Sequence, residues 1–138
     1  MKIKFLFLFV FLVQIGLSQR THTTHQTFEI SQEIKNLVFH FQEESEIVFW
    51  SANAVLFEKT IKLFDISDGL FKNLINSDRY QIAIKEEEGN MLFYRETSTN
   101  IAIKNQHGNI LEEGIFFKIY IPEDFKEVRK GFFEKKNL

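Results

Sequence analysis

The 138-residue chain has no cysteine, a single proline and only six glycines. Without cysteine, disulfide bonds, thiolate zinc sites and cysteine nucleophiles are excluded. So little proline and glycine also excludes a collagen-like or low-complexity chain. The 17 basic and 19 acidic residues nearly balance. This charge balance gives no support for nucleic-acid binding through a basic surface. The length and composition therefore favour one globular domain.

What the chain has in excess is phenylalanine, with 17 residues against one tryptophan and three tyrosines. Four of these phenylalanines fall in an apolar run over residues 5–15, which follows a short basic start and precedes small residues at 16–18. This order is typical of a signal peptide. The run is shorter than the roughly 20 residues that a membrane span needs. We therefore predict a signal peptide over residues 1–18, cleaved before Gln19, with a retained anchor as the alternative.

The rest of the chain divides by its pattern of apolar residues. Residues 19–33 are mostly polar and are predicted to form a flexible leader. Residues 34–128 carry the repeated strand patterns and are predicted to form a β-rich domain. Residues 129–138 form a charged tail, which either docks as a last element or frays. We predict that the protein contacts the membrane only through the signal peptide, during export.

Within the domain, apolar residues recur at every second position, the spacing of β-strands. Segments 37–41 and 46–50 suggest an aromatic-rich hairpin, and 80–95 suggests a second one that turns through Gly89. The longest alternation, over residues 115–121, ends at Pro122 because proline lacks the N–H that a strand ladder needs.

Two further segments complete the predicted fold. Residues 55–63 form a strand, but Lys59 falls on its apolar face, so this strand is predicted to be bent or at a sheet edge. Residues 67–76 have helical spacing, with Ser67 or Asp68 as the N-cap and Asn76 at the end. The predicted class is mainly β, an antiparallel or β-roll-like sheet of short strands with one short helix.

The order of these segments resembles an exported adhesin family, found often in Bacteroidetes, that stacks β-strand repeats into a β-helix-like or β-roll body. The resemblance lies in the signal peptide with its polar leader, in the Trp-containing stretch 46–55, and in the strand 117–123 that ends in Pro-Glu. It implies a β-rich adhesin-like domain at the cell envelope. Family members commonly continue with Gly- and Asn-rich repeats, which residues 124–138 lack, so the resemblance implies a short relative, an N-terminal fragment or a diverged unit.

No pattern in the sequence indicates catalysis or a cofactor. His22 and His25 lack the third and fourth ligands that a metal site needs, so we predict no metal ion there. The stretch 65–76 departs from the EF-hand pattern at its Gly and Glu positions. The carboxylates at 43–46 and 86–88 are predicted to be solvated turn residues. Without a nucleophile elbow, phosphate loop or zinc-protease motif, we predict a protein that is not an enzyme.

Two functions remain. The first is an exported adhesin-like binding or structural module that contacts envelope components through an exposed aromatic surface, or self-associates through sheet edges. Its candidate binding residues are Trp50, Tyr94 and Tyr120. The second is a small periplasmic domain that holds an apolar ligand between its sheet faces. A closed aromatic cavity favours the carrier, and a filled core with open edge strands favours the adhesion module.

Overall fold

The computed structural model of the protein describes residues 19–96 and 101–137. The predicted signal peptide over residues 1–18 lies outside the described residues. Strands make up 57% of the described part and helices 10%, which confirms the prediction of a mainly β fold. The α-helix found there is α1 (Asp68–Ile75), and the strands are β1 (Gln19–Glu29), β2 (Asn36–His40), β3 (Glu44–Trp50), β4 (Ala54–Phe64), β5 (Ala83–Glu87), β6 (Asn90–Tyr94), β7 (Glu113–Pro122), β8 (Phe125–Arg129) and β9 (Phe132–Lys135).

The strands form two mixed sheets. The four-stranded sheet has the order β1-β4-β7-β3, and the five-stranded sheet has the order β5-β6-β2-β9-β8. Strand β2 runs parallel to β6, and β3 runs parallel to β7. The prediction of antiparallel strands is therefore wrong for these two pairs. Neither sheet closes into a barrel or a solenoid.

Apolar side chains from both sheets share one core, so the sheets pack face to face. Phe57 of β4 lies at its centre, with no exposed surface. Its ring centroid is 5.5–6.0 Å from those of five other phenylalanines, which come from both sheets and from the residue that follows β2: Phe28, Phe39, Phe41, Phe93 and Phe117. The period-two pattern therefore identified the core phenylalanines Phe39, Phe41, Phe57 and Phe117 correctly.

The predicted helix is confirmed as α1. Ser67 is its N-cap, accepting a hydrogen bond from the backbone N–H of Leu70 at 3.3 Å, and Asn76 is its C-cap. No helical residue is fully buried. Its apolar side chains instead cover one side of a second, smaller core that includes Ile61 and Leu63 of β4. The helix therefore closes one end of the layered sheets.

The predicted polar leader is a strand. Residues 19–29 form β1, which pairs with the whole length of β4 from Gln19 opposite Phe64 to Glu29 opposite Ala54. Alternate β1 side chains are exposed, and those between them are partly buried. The prediction of flexibility is wrong because one polar face suits an edge strand, whose ladder bonds come from the backbone and not from apolar side chains.

The first predicted hairpin is also wrong. Segments 37–41 and 46–50 correspond to β2 and β3, but these strands belong to different sheets. The second hairpin is confirmed as β5 and β6, joined by Glu88 and Gly89. Both turn residues have positive φ, 50° and 80°, as a two-residue hairpin of this type requires.

The charged tail is ordered where the structure describes it. Strand β9 lies between β2 and β8, and its Phe133 is completely buried. At Gly131, φ is +77° and an added Cβ would lie 3.0 Å from the carbonyl oxygen of Phe39, so the turn before β9 requires glycine. The division at residue 129 therefore cuts through a hairpin that belongs to the core.

Candidate binding surface

Trp50 and Tyr120 lie side by side on the outer face of the four-stranded sheet. Their ring centroids are 5.4 Å apart and their planes are tilted by 48°. The indole N–H of Trp50 donates to the carbonyl oxygen of Ala54 at 2.8 Å, which holds the ring over the turn between β3 and β4. Leu56 lies opposite Tyr120 in the register of β4 and β7. These partly buried side chains form an apolar area on this sheet face.

Charged groups border this aromatic pair. The ammonium of Lys118 lies 5.6 Å from the ring centroid of Tyr120, within cation–π range. The hydrogen bond with Tyr120 raises the pKa of Lys118, and the carboxylates of Glu46 and Glu58 add to this effect. Lys118 therefore stays a cation at neutral pH, and the surface offers a partner both aromatic and charged contacts.

Tyr94 does not belong to this surface. It lies in β6, where Met91 and Phe93 point into the core and Tyr94 stands opposite His40 of β2. Tyr94 therefore projects from the outer face of the five-stranded sheet, on the far side of the core. The prediction of one aromatic surface that holds all three residues is wrong, because alternation within each strand does not say which sheet the strand joins.

Side chains fill the space between the sheets. The phenylalanine cluster around Phe57 occupies the position where a carrier would hold an apolar ligand. A cleft of about 660 Å³ lies instead at one side of the sandwich, between β3 and the β8–β9 hairpin. Its apolar wall includes Phe39, Phe41, Ile47 and Phe133, and its rim includes Glu44, Glu127 and Lys130.

The interior contains a buried lysine, Lys59, whose position was predicted wrongly from the sequence. Strand β4 is flanked by β1 and β7, so the prediction of an edge strand at Lys59 is wrong. Only 1% of Lys59 is exposed. Its ammonium donates to Oε1 of Gln26 at 3.0 Å and to the carbonyl oxygen of Tyr80 at 2.8 Å. These acceptors lie far from Lys59 in sequence, so no local sequence pattern predicts the two hydrogen bonds.

A second group of polar residues, partly buried, lies beside Lys59. Arg79 donates through Nε and Nη2 to the two carboxylate oxygens of Glu113, at 2.9 Å each, and the hydroxyl of Tyr80 donates to the same carboxylate. Burial opposes ionisation of Glu113, but the hydrogen bonds and the arginine charges outweigh it, so the pKa of Glu113 lies below its usual value. Burial, followed by the hydrogen bond with Glu113, raises the pKa of Tyr80.

Arg95 links this group to the mouth of the cleft. It donates to the carboxylate of Glu43 and, at 2.8 Å, to the carbonyl oxygen of Arg79. The side chain of Arg95 is 6% exposed and that of Glu43 is 17% exposed. The two partly buried carboxylates are thus held in ion pairs by the arginines, an arrangement that stabilises the structure by pairing their charges.

The buried ammonium of Lys59 predicts an unusual dependence of stability on pH. Burial and, less strongly, the charge of Arg95 lower the pKa of Lys59 from 10.5 to about 8. Between these two values the unfolded chain binds more protons than the folded one, so stability contributed by this site rises with pH. We expect a rise of about 3 kcal/mol, from about 1.4 kcal/mol per pKa unit.

The measurement is urea unfolding at several pH values from 7 to 11, for the protein and for Lys59→Met. Methionine removes the titrating group while keeping its length and apolar stem. The unfolding free energy of the unmodified protein, relative to that of Lys59→Met, should increase by about 3 kcal/mol as the pH rises from about 8 to 10.5. A difference that is constant with pH contradicts a depressed pKa for Lys59.

The histidines of β1 project from opposite faces of the strand. The ring of His22 lies 6.4 Å from that of Phe71 in α1, whereas Nε2 of His25 lies 3.3 Å from the carboxylate of Glu58 on the outer face. One ion therefore cannot bind both. Within residues 19–96 and 101–137, no three histidine or acidic side chains are grouped in a way that could hold a metal ion.

Comparison with known proteins gives no relative. No family model matches the chain, and no curated protein or solved structure matches it significantly. In the part of the chain that the structure describes, no helix is long and apolar enough to cross a membrane.

Proposed function

We propose that the protein is an exported, non-enzymatic binding module that attaches to cell-surface or envelope components through the outer face of the four-stranded sheet. The observation that carries this proposal is the aromatic pair of Trp50 and Tyr120, accompanied by Lys118, on an exterior sheet face. Tryptophan and tyrosine side chains are enriched where proteins bind partners. The basic and apolar pattern of residues 1–18 supports export to the periplasm, cell surface or medium.

The adhesin-like role and the relation to a β-roll family belong to the same proposal. They rest on the sequence resemblance in stretches 46–55 and 117–123, which correspond to β3 with its turn and to β7. These adjacent strands carry Trp50 and Tyr120, so the resembling segments and the proposed binding residues coincide. A non-enzymatic role is supported by the ion pairs that hold the side chains of Arg79, Arg95 and Glu113.

A second candidate function is binding of an apolar ligand. The open cleft beside β3 favours it, because phenylalanine side chains line its wall. Ligand sites usually bury 70–90% of a small ligand, and this cleft is open along one edge of a sheet. The filled interior around Phe57 makes this candidate weaker than attachment through the outer face.

Attachment is tested by co-sedimentation of the purified protein with cell envelopes from the organism that encodes it. We expect Trp50→Ser with Tyr120→Ser to lower the bound fraction at least about tenfold, the loss of about 1.4 kcal/mol. Leu56→Ser with Tyr120→Ser should act in the same direction while leaving the hydrogen bond of Trp50 in place. Tyr94→Ser, on the other outer face, is the matched control and should bind normally.

Circular dichroism confirms that each variant remains folded. Equal binding by the protein and both double variants overturns the proposed surface, and an equal loss with Tyr94→Ser makes the effect unspecific. Export is read from the amino terminus of the protein recovered from its own cells. A chain that begins at Gln19 in the envelope or medium supports export, and an intact Met1 in the cytosol refutes it.

A further inference from the structure

Strand β3 ends the four-stranded sheet with one unpaired edge. Its neighbour on one side is β7, and no strand within the described ranges lies on the other side. The strand is seven residues long and mostly exposed. An edge of this length offers unpaired backbone N–H and C=O groups to another strand.

The orientation of the free backbone groups follows from a single hydrogen bond. The N–H of Glu123, just after β7, donates to the carbonyl oxygen of Trp50 at 2.9 Å, so the backbone of Trp50 faces β7. Backbone groups alternate in direction along a strand. The N–H and C=O groups of Ser45, Ile47 and Phe49 therefore point away from β7, towards the free edge.

The side chains of the same three residues lie on one face of β3. Ser45 and Ile47 line the cleft, and the ring centroid of Phe49 is 6.2 Å from that of Phe133, a residue of the cleft wall. Phe49 is nevertheless 48% exposed. An added strand at this edge would thus place every second side chain in the 660 Å³ cleft, beside exposed apolar surface.

Charge on the outer face points to the kind of strand that fits. Residues His25, Glu58, Lys118 and Glu46 stand opposite one another across β1, β4, β7 and β3. Basic and acidic side chains alternate along this row, which ends at Glu46 beside the free edge. Glu44, two residues earlier, lies on the same face and is also exposed. Opposite charges across neighbouring strands are favourable, so the next strand should be basic on this face.

We propose that the free edge of β3 is a binding site for an extended peptide of a partner protein, with apolar residues alternating with lysine or arginine. The peptide adds a strand to the sheet, placing its apolar side chains in the cleft beside Ile47 and Phe49 and its basic side chains opposite Glu44 and Glu46. This site is distinct from the Trp50–Tyr120 surface and does not depend on export.

The geometry disfavours other occupants. A second copy that pairs through its own β3 would bring the Glu44 and Glu46 side chains of both copies to the same sheet face, where like charges repel. A small apolar molecule would use the cleft wall but leave the backbone groups of the edge unpaired. An alternating basic peptide satisfies the backbone, the cleft and the glutamates together.

The test uses a capped nine-residue peptide that alternates valine and lysine. Binding to the purified protein is followed by fluorescence of Trp50, the single tryptophan, which lies at the end of β3. We expect Glu44→Lys with Glu46→Lys to raise Kd about tenfold, since cross-strand charge pairs contribute up to about 1 kcal/mol each and are here reversed. The same change at the exposed residues Glu86 and Glu88 is the matched control and should leave Kd unchanged.

Hydrogen exchange locates the bound strand. Saturating peptide should slow exchange of the amide protons of Ser45, Ile47 and Phe49, because the peptide's carbonyl oxygens become their acceptors. A peptide with proline at its central position should bind at least about tenfold more weakly, as it lacks a backbone donor. Protection at another sheet edge, equal effects of the two charge-reversed variants, or dimerisation of the protein in place of peptide binding overturns the proposal.

Discussion

Phe57→Ala is expected to lower the free energy of unfolding by about 3–5 kcal/mol. The side chain has no exposed surface and its ring contacts five other phenylalanine rings from both sheets. Removing it deletes these contacts and leaves a cavity that layered sheets cannot close. Urea unfolding followed by circular dichroism measures the loss.

Two variants make the Phe57 measurement decisive. Phe116→Ala removes the same ring from an exposed position of β7, 37% accessible, and should cost less than about 1 kcal/mol. Phe57→Leu keeps most of the apolar volume and should leave a folded protein with a loss of intermediate size. If Phe57→Ala costs no more than Phe116→Ala, the assigned centre of the core is wrong.

Glu113→Ala is expected to destabilise the protein by about 2–3 kcal/mol, because it leaves a partly buried arginine without its counter-charge and its hydrogen-bond acceptors. Arg79 would lose two hydrogen bonds of 2.9 Å, and the hydroxyl of Tyr80 would lose its acceptor. Since the pKa of Glu113 is depressed, the stability it contributes is present above its unfolded pKa and is lost as pH falls through the folded value.

The matched control is the neighbouring carboxylate. Glu112 is exposed, so Glu112→Ala should change the free energy of unfolding by no more than about 0.5 kcal/mol. Arg79→Met with Glu113→Leu removes both charges and should recover part of the stability that Glu113→Ala loses. Equal effects at positions 112 and 113 would contradict a stabilising, partly buried ion pair at Glu113.

Local signals in the sequence predicted the elements whose structure is decided locally. Helix α1 has apolar spacing of one and four residues together with a serine cap, and it begins at the predicted position. Residues 115–121 of strand β7 alternate in burial, and the strand ends at Pro122 as predicted. The hairpin of β5 and β6 pairs strands that are adjacent in sequence, and its turn residues identify it.

Non-local pairing explains where prediction failed. Strands β2 and β3 are adjacent in sequence, but each pairs in parallel with a strand more than 50 residues away. A lysine on the apolar face argued against a central position for β4, but the ammonium of Lys59 donates hydrogen bonds to Gln26 and Tyr80. Strand β1 was likewise not predicted, because its residues are mostly polar and it is ordered by backbone pairing with β4.

The candidate site was predictable only in part. Alternation in β3 and β7 indicates on which side of each strand Trp50 and Tyr120 lie, but their contact depends on the parallel register of two distant strands. Tyr94 follows the same rule within β6 and still lies on the opposite outer face. Side-chain direction is a local property, whereas membership of a sheet is a global one.

The central claim is that the Trp50–Tyr120 face meets the partner in the cell envelope. Its most direct test places a photo-crosslinking phenylalanine analogue at position 120 or at position 94 in living cells, which keeps an aromatic ring at each site. We expect a specific crosslinked product from position 120 and none from position 94. Equal crosslinking from both positions, or none from position 120, would contradict the claim.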